Sequence, residues 1–152
     1  MTASSTRTLT VGRVLGVDLG LQRIGLALSD EIGLSTRGLP NLKPRSRAQD
    51  VAFLIDLCSN EGVVDVVVGL PLLPSGDESP MSKRARGFAK ALQDALATSG
   101  LSVAVHLIDE RGSSKAAAAR LVESEIKKSQ RKALLDSEAA RILVEDLLAQ
   151  RR

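Results

Sequence analysis

The sequence predicts an α/β fold: a mixed five-stranded sheet, three antiparallel strands plus two parallel, with helices on both faces. Three observations carry this. Two apolar runs, Val14 to Leu19 and Ile24 to Leu28, are separated by "GLQR", which suits a hairpin with Gly20 supplying the turn. The run "VVDVVVGLPLL" is continuously apolar, as in a strand covered on both faces. Elsewhere apolar residues recur at helical rather than alternating spacing.

Taken in order, the hairpin is followed by a weaker third strand across "LSTRGLPNL", and three strands with short links are most simply antiparallel. After the basic "KPRSR" loop, Val51, Leu54, Ile55 and Cys58 take helical spacing, with Gly62 closing that helix. The run from Val63 is the fourth strand, and "PSGDESPMS" reads as a mobile loop. Ala85, Phe88, Ala89, Leu92 and Leu96 form one face of the next helix, which Gly100 closes. "LSVAVHLIDER" is the fifth strand. An alanine-rich helix is expected from about Ser114, a basic linker near "KKSQRK", and a last helix from about Leu134 to Ala149.

The 152 residues suffice for one domain with a full core, expected over residues 12–150 behind a flexible tail at 1–11. No apolar run approaches the roughly 20 residues of a membrane span. The tail lacks a signal-type apolar segment and the lone Cys58 has no internal partner, so a cytoplasmic location and a buried, inert thiol are expected. The net charge of +3 permits a nucleic-acid partner. Basic residues cluster at Lys43, Arg45 and Arg47, at Lys83, Arg84 and Arg86, and at Lys127, Lys128, Arg131 and Lys132. With no Trp or Tyr and two Phe, stacking platforms for unpaired bases are scarce, so such a partner would be held by backbone and shape.

Asp18 stands among strand-forming apolar residues, where an unpaired carboxylate costs several kcal/mol. Parallel strands with right-handed crossovers bring their C-terminal ends to one sheet edge, where open α/β sheets bind ligands. Asp18 lies toward that end of the first strand, and Asp109 and Glu110 end the fifth. Alternation puts Glu110 on the face of Ala104, His106 and Ile108, with Asp109 opposite. Asp136 aligns with Ala140, Leu143 and Leu147 on the inward face of the last helix; a helix N-cap is its alternative use. Carboxylates meeting at one edge repel unless cations lie between them, and oxygen-only ligation suits Mg²⁺ or Mn²⁺. The single histidine, His106, reads as a packed or solvent-facing residue.

The stretches "GVDLGLQRIGLALSD", "VVVGLPL" with "SGDES", "DER" at Asp109 to Arg111 and "DSEAARILVEDLL" resemble the YqgF/RuvX proteins, relatives of Holliday junction resolvases with a ribonuclease H-like fold. The resemblance implies a metal-dependent nuclease acting on structured RNA or branched DNA, in precursor 16S rRNA processing or junction resolution. It implies Asp18, Glu110 and Asp136 as metal ligands and catalytic residues, with Asp109 as an auxiliary and Mg²⁺ or Mn²⁺ as cofactor. Phosphate contacts would fall to Arg23, Arg111, Ser113, Ser114, Lys83 and Arg84, in a monomer or a homodimer. Three segments depart from the family pattern: Gln22 stands where Lys is common, "LLPSG" replaces an "LNMDG"-like loop, and "DERGSS" replaces "DERLTT". Those departures leave open a non-catalytic binding or ribosome-assembly module. The opening hairpin also looks like that of actin-like ATPases and sugar kinases, which need two such domains.

Overall fold

The structure is a computed structural model that describes residues 12–110 and 128–150, with the backbone alone described over 128–136. Five strands, β1 (Arg13–Leu19), β2 (Ile24–Ser29), β3 (Thr36–Leu42), β4 (Val63–Leu70) and β5 (Ala104–Asp109), form one sheet in the order β3-β2-β1-β4-β5. β1 pairs antiparallel with β2 and parallel with β4; β2 pairs antiparallel with β3, and β4 parallel with β5. The expected mixed sheet is present. The hairpin turn closes where Gly20 N donates to Arg23 O at 2.9 Å.

Helices α1 (Arg47–Glu61) and α2 (Pro80–Thr98) cover one face, where Leu15, Val17, Leu26, Leu28, Val66 and Val68 pack with Leu54, Cys58, Leu92 and Leu96. Helix α3 (Lys128–Gln150) covers the other, where Val14, Ala27 and Val67 meet Ala140, Leu143, Val144 and Leu147. Strict alternation along the central strands sends successive residues to these two cores, which is why the runs read as unbroken apolar sequence. Removing each such side chain from water contributes roughly 1.5–3 kcal/mol. Cys58 is buried as expected, and burial pushes its thiol up to about 12. Phe53 departs from the helical pattern and is partly exposed.

Three boundaries differ from the sequence reading. Pro80 to Ser82 belong to the first turn of α2, not to a loop: Ser79 caps the helix, accepting from Ser82 N at 3.0 Å while Ser82 Oγ accepts from Ser79 N at 2.7 Å. Proline at the start of that helix costs no backbone bond. The segment before it is also ordered by hydrogen bonds, with Leu73 N on Asp77 O and Gly76 N on Leu73 O. β5 is shorter than the run suggests and, as an edge strand, is half exposed. α3 begins at Lys128, so the end of the expected basic linker is helical. The alanine-rich helix expected from Ser114 lies outside the described residues.

The lone histidine has a structural partner. His106 Nε2 lies 2.8 Å from Asp65 Oδ1, satisfying a carboxylate otherwise buried in β4. Among the described residues, no helix is long and apolar enough to cross a membrane.

Candidate active site

The site is built on the sheet face beneath α3, at the C-terminal ends of β1, β4 and β5. The pairing of Val17 with Val68 brings Asp18 alongside Gly69, and Gly69 pairs with Ile108, one alternation before Glu110. Asp18 and Glu110 therefore flank the central strand β4 at the one position where it has no side chain. The backbone continues the ladder past β5, with Glu110 N donating to Leu70 O at 3.2 Å.

Glu110 leans across that gap. A Cβ on Gly69 would collide with Glu110 Oε2 and stand 2.9 Å from its Cδ and 3.1 Å from Leu143 Cδ1. The Glu110 carboxyl also shares a hydrogen bond with Asp18. Burial, then the Asp18 charge and that hydrogen bond, then the charge of Asp109, push the Glu110 carboxyl up to about 8. Two carboxyls can hydrogen-bond only by holding a proton between them, and burial beside the Asp18 charge favours that shared proton. Glu110 Oε2 is buried without a hydrogen-bond partner. A buried acceptor left empty beside a second carboxylate suits a cation.

Asp109, on the opposite face of β5 by alternation, is exposed, and its charge acts on the Glu110 carboxyl. Asp136 stands two turns inside α3, which excludes the N-cap alternative, and its side chain lies outside the described positions. The helix backbone at that level is fixed by its neighbours. Gly16, two residues before Asp18 on the same face of β1, lies directly under the Ala140 carbonyl, and Ala140 is one turn beyond Asp136. Ser137 fixes the helix rotation at that level, donating to Leu39 O and to Asn41 Oδ1, both at 3.0 Å. No group of three or more potential metal-ligating side chains occurs among the described residues, where Asp18 and Glu110 stand as a pair.

The expected phosphate contacts divide. Arg23 is half buried in the hairpin turn, Lys83 is exposed on α2, and Arg84 donates to Gly20 O at 3.4 Å, bracing the turn that follows Asp18. Arg111, Ser113 and Ser114 lie outside the described residues. The sequence offers the stretch Gly69 to Pro71 as a source of backbone donors for a phosphate or as a strand-ending turn; the close approaches at Gly16 and Gly69 emerge only in the structure. An isolated glycine inside a strand pattern signals close approach, and both carried that signal.

A family model described as RuvX, Holliday junction resolvase, matches residues 12–150. A relative from Anaeromyxobacter dehalogenans is 40% identical over 91% of this chain and 98% of its own length; another from Myxococcus xanthus is 38% identical over 90% and 87%. Both are provisionally named pre-16S rRNA nuclease. Among solved structures, Thermus thermophilus RuvC in complex with a Holliday junction substrate superposes with a TM-score of 0.55 at 19% identity, covering 91% of this chain and 95% of that one. The yeast mitochondrial Holliday junction resolvase Ydc2 superposes with a TM-score of 0.51 at 14% identity, covering 96% and 83%. At those identities the superpositions establish the shared ribonuclease H-like fold. The family match sets aside the kinase and non-catalytic readings: the chain belongs to the RuvX family and is a nuclease.

Proposed function

We propose that the protein hydrolyses phosphodiester bonds in the precursor of 16S ribosomal RNA, with Asp18, Glu110 and Asp136 as its catalytic carboxylates. One observation carries the site assignment: Asp18 and Glu110 meet across the side-chain gap at Gly69, with a buried Glu110 oxygen left without a partner. The substrate assignment rests on the names of relatives at 38–40% identity.

The donor set fits a hard divalent ion, Mg²⁺ or Mn²⁺: carboxylate oxygens only, in a site that holds a proton when no cation is there. When bound, such an ion supplies Lewis acidity at the scissile phosphate and a lowered pKa for an attacking water. Asp18 and Glu110 hold the site's negative charge, Gly69 admits the Glu110 carboxylate, and Asp136 joins them by the family pattern, on the helix that covers this face. Arg23 and Lys83 stand at the same sheet edge to meet phosphate oxygens, while Arg84 steadies the turn behind Asp18. Asp109 adds to the field that favours a cation.

The family description favours a second reading, resolution of four-way DNA junctions. A homodimer would suit the two-fold symmetry of a junction, and a monomer suffices for RNA. The two are separated by presenting an end-labelled 16S precursor fragment and a four-way junction to the protein in Mg²⁺ and in Mn²⁺. The proposal requires metal-dependent cutting of the RNA. Cutting confined to the junction transfers the assignment to the second reading.

A further inference from the structure

We propose that Lys43, Arg47 and Lys83 form a phosphate-binding ridge that holds the backbone of an RNA duplex beside the carboxylate edge, and that Gly87 is the seat that positions Arg47. This rests on the nuclease reading above and extends its binding surface to the α1–α2 face.

Topology brings the ridge to the right edge. β3 runs parallel to β1, because each pairs antiparallel with β2, so the chain leaving β3 at Leu42 emerges where Asp18 lies. Lys43 follows immediately. α1 returns the chain to the start of β4, so its first residue, Arg47, is also at that edge. α2 begins after the C-terminal end of β4, which puts Lys83 and Arg84 there as well, and Arg84 touches the turn that follows Asp18.

The place of Arg47 is set by α2. The Arg47 guanidinium reaches across to α2, and a Cβ on Gly87 would stand 3.0 Å from Nη2, 3.3 Å from Nη1 and 3.4 Å from Cζ. Glycine is a poor residue for the interior of an exposed helix, so its presence at 87 has a packing reason: it makes room for this cation. Lys83 lies one helical turn before Gly87 on the same face of α2, which brings two positive charges together.

The nearby acids are hydrogen-bonded to other groups. Glu78 takes Arg86 through two hydrogen bonds of 2.9 and 3.0 Å, and Asp50 accepts from Arg45 N. Lys43, Arg47 and Lys83 are exposed, and among the described residues none of them has an ion-pair partner. Lys83 also lies within the field of Glu78, which Arg86 already pairs, so the net charge of this edge stays positive. A track of exposed cations at a nuclease edge fits a phosphate backbone. The scarcity of aromatics fits duplex RNA, which is recognised by shape and backbone.

The test measures binding of an RNA duplex to the full chain by fluorescence anisotropy across a salt series. Asp18→Asn serves as parent, so that the substrate stays intact and binding is read apart from cleavage. Adding Arg47→Ala and Lys83→Ala should weaken binding at least tenfold and flatten the slope of log K against log salt by about 1.4–1.8, the loss of two phosphate contacts. Gly87→Ala, which leaves every charge in place, should flatten the slope by about half as much. Arg47→Lys should recover most of the loss from Arg47→Ala. Unchanged affinity and slope in the double variant would overturn the ridge while leaving the carboxylate site standing. Weakened binding to a four-way DNA junction but not to RNA would overturn the choice of partner.

Discussion

The Glu110 carboxylate occupies the space that a side chain on Gly69 would take, so that β4 contributes a gap where its neighbours β1 and β5 contribute acids. Any side chain at 69 must displace Glu110 or Leu143. Gly69→Ala is therefore expected to lower cleavage at least about 100-fold, roughly 2.7 kcal/mol in the barrier. The added methyl should cost about 1–3 kcal/mol of stability by overpacking. Single-turnover cleavage and a denaturation curve on the same preparation separate the two effects. Full activity in a stably folded Gly69→Ala protein would show that Glu110 need not lie where it does.

The raised Glu110 value makes the metal-free protein pH-sensitive. Its folded value of about 8 lies above the ordinary 4.5, so the folded state binds the extra proton. The corresponding stability is fully present below pH 4.5 and is lost as pH rises through 8. In a chelator, wild type should lose more stability between pH 5.5 and 8.5 than Glu110→Gln, with Asp18→Asn in between because burial still acts on Glu110. Denaturation midpoints at the two pH values measure it. Equal losses in wild type and Glu110→Gln would rule out the shared proton.

Gly16 sets how closely α3 lies on β1. A Cβ there would strike the Ala140 carbonyl and stand 2.7 Å from Val144 Cγ2. Gly16→Ala should cost about 1–3 kcal/mol by overpacking, and it should also reduce cleavage by lifting the helix that carries Asp136. Thermal unfolding and cleavage below the unfolding temperature check both parts; a variant as stable as wild type would mean that the contact relaxes without cost.

Ser79 starts α2 and also donates to Pro71 O at 2.6 Å, tying the helix to the end of β4. Ser79→Ala should cost about 1 kcal/mol, with a range of 0.5–2. A urea midpoint unchanged from wild type would show that the cap is replaced by solvent.

The fold was legible because its signals were local and mutually consistent. Gly20 marked the hairpin, Gly62 with its φ of 67° marked the end of α1, and the doubly covered β4 announced itself as unbroken apolar sequence. The start of α2 was misread because Pro, Gly and Ser crowd the same few residues whether they form a loop or a cap, and only the spacing of Ser79, Pro80 and Ser82 distinguishes them. The first turn of α3 was missed because its charged residues show no apolar periodicity. In the site, parallel strand ends bring Asp18, Asp109 and Glu110 to one sheet edge, while the choice of Glu110 as the ligand comes with the family resemblance. The roles of Gly16 and Gly69 were not legible, since a missing side chain is informative only once the atoms that fill its place are known. His106, read as packed or solvent-facing, lies against Asp65.

If Asp18 and Glu110, meeting across Gly69, form a cation-dependent centre for phosphodiester cleavage, activity must depend on both carboxylates and on the metal. The most direct measurement is the cleavage rate of a 16S precursor fragment as Mn²⁺ is titrated, for wild type, Asp18→Asn and Glu110→Gln, each first shown to be folded. The wild-type rate should rise with Mn²⁺ and vanish in chelator, and both variants should lose at least about 100-fold at saturating metal. Wild-type cleavage by folded Asp18→Asn, or cleavage that survives the chelator, would contradict that dependence.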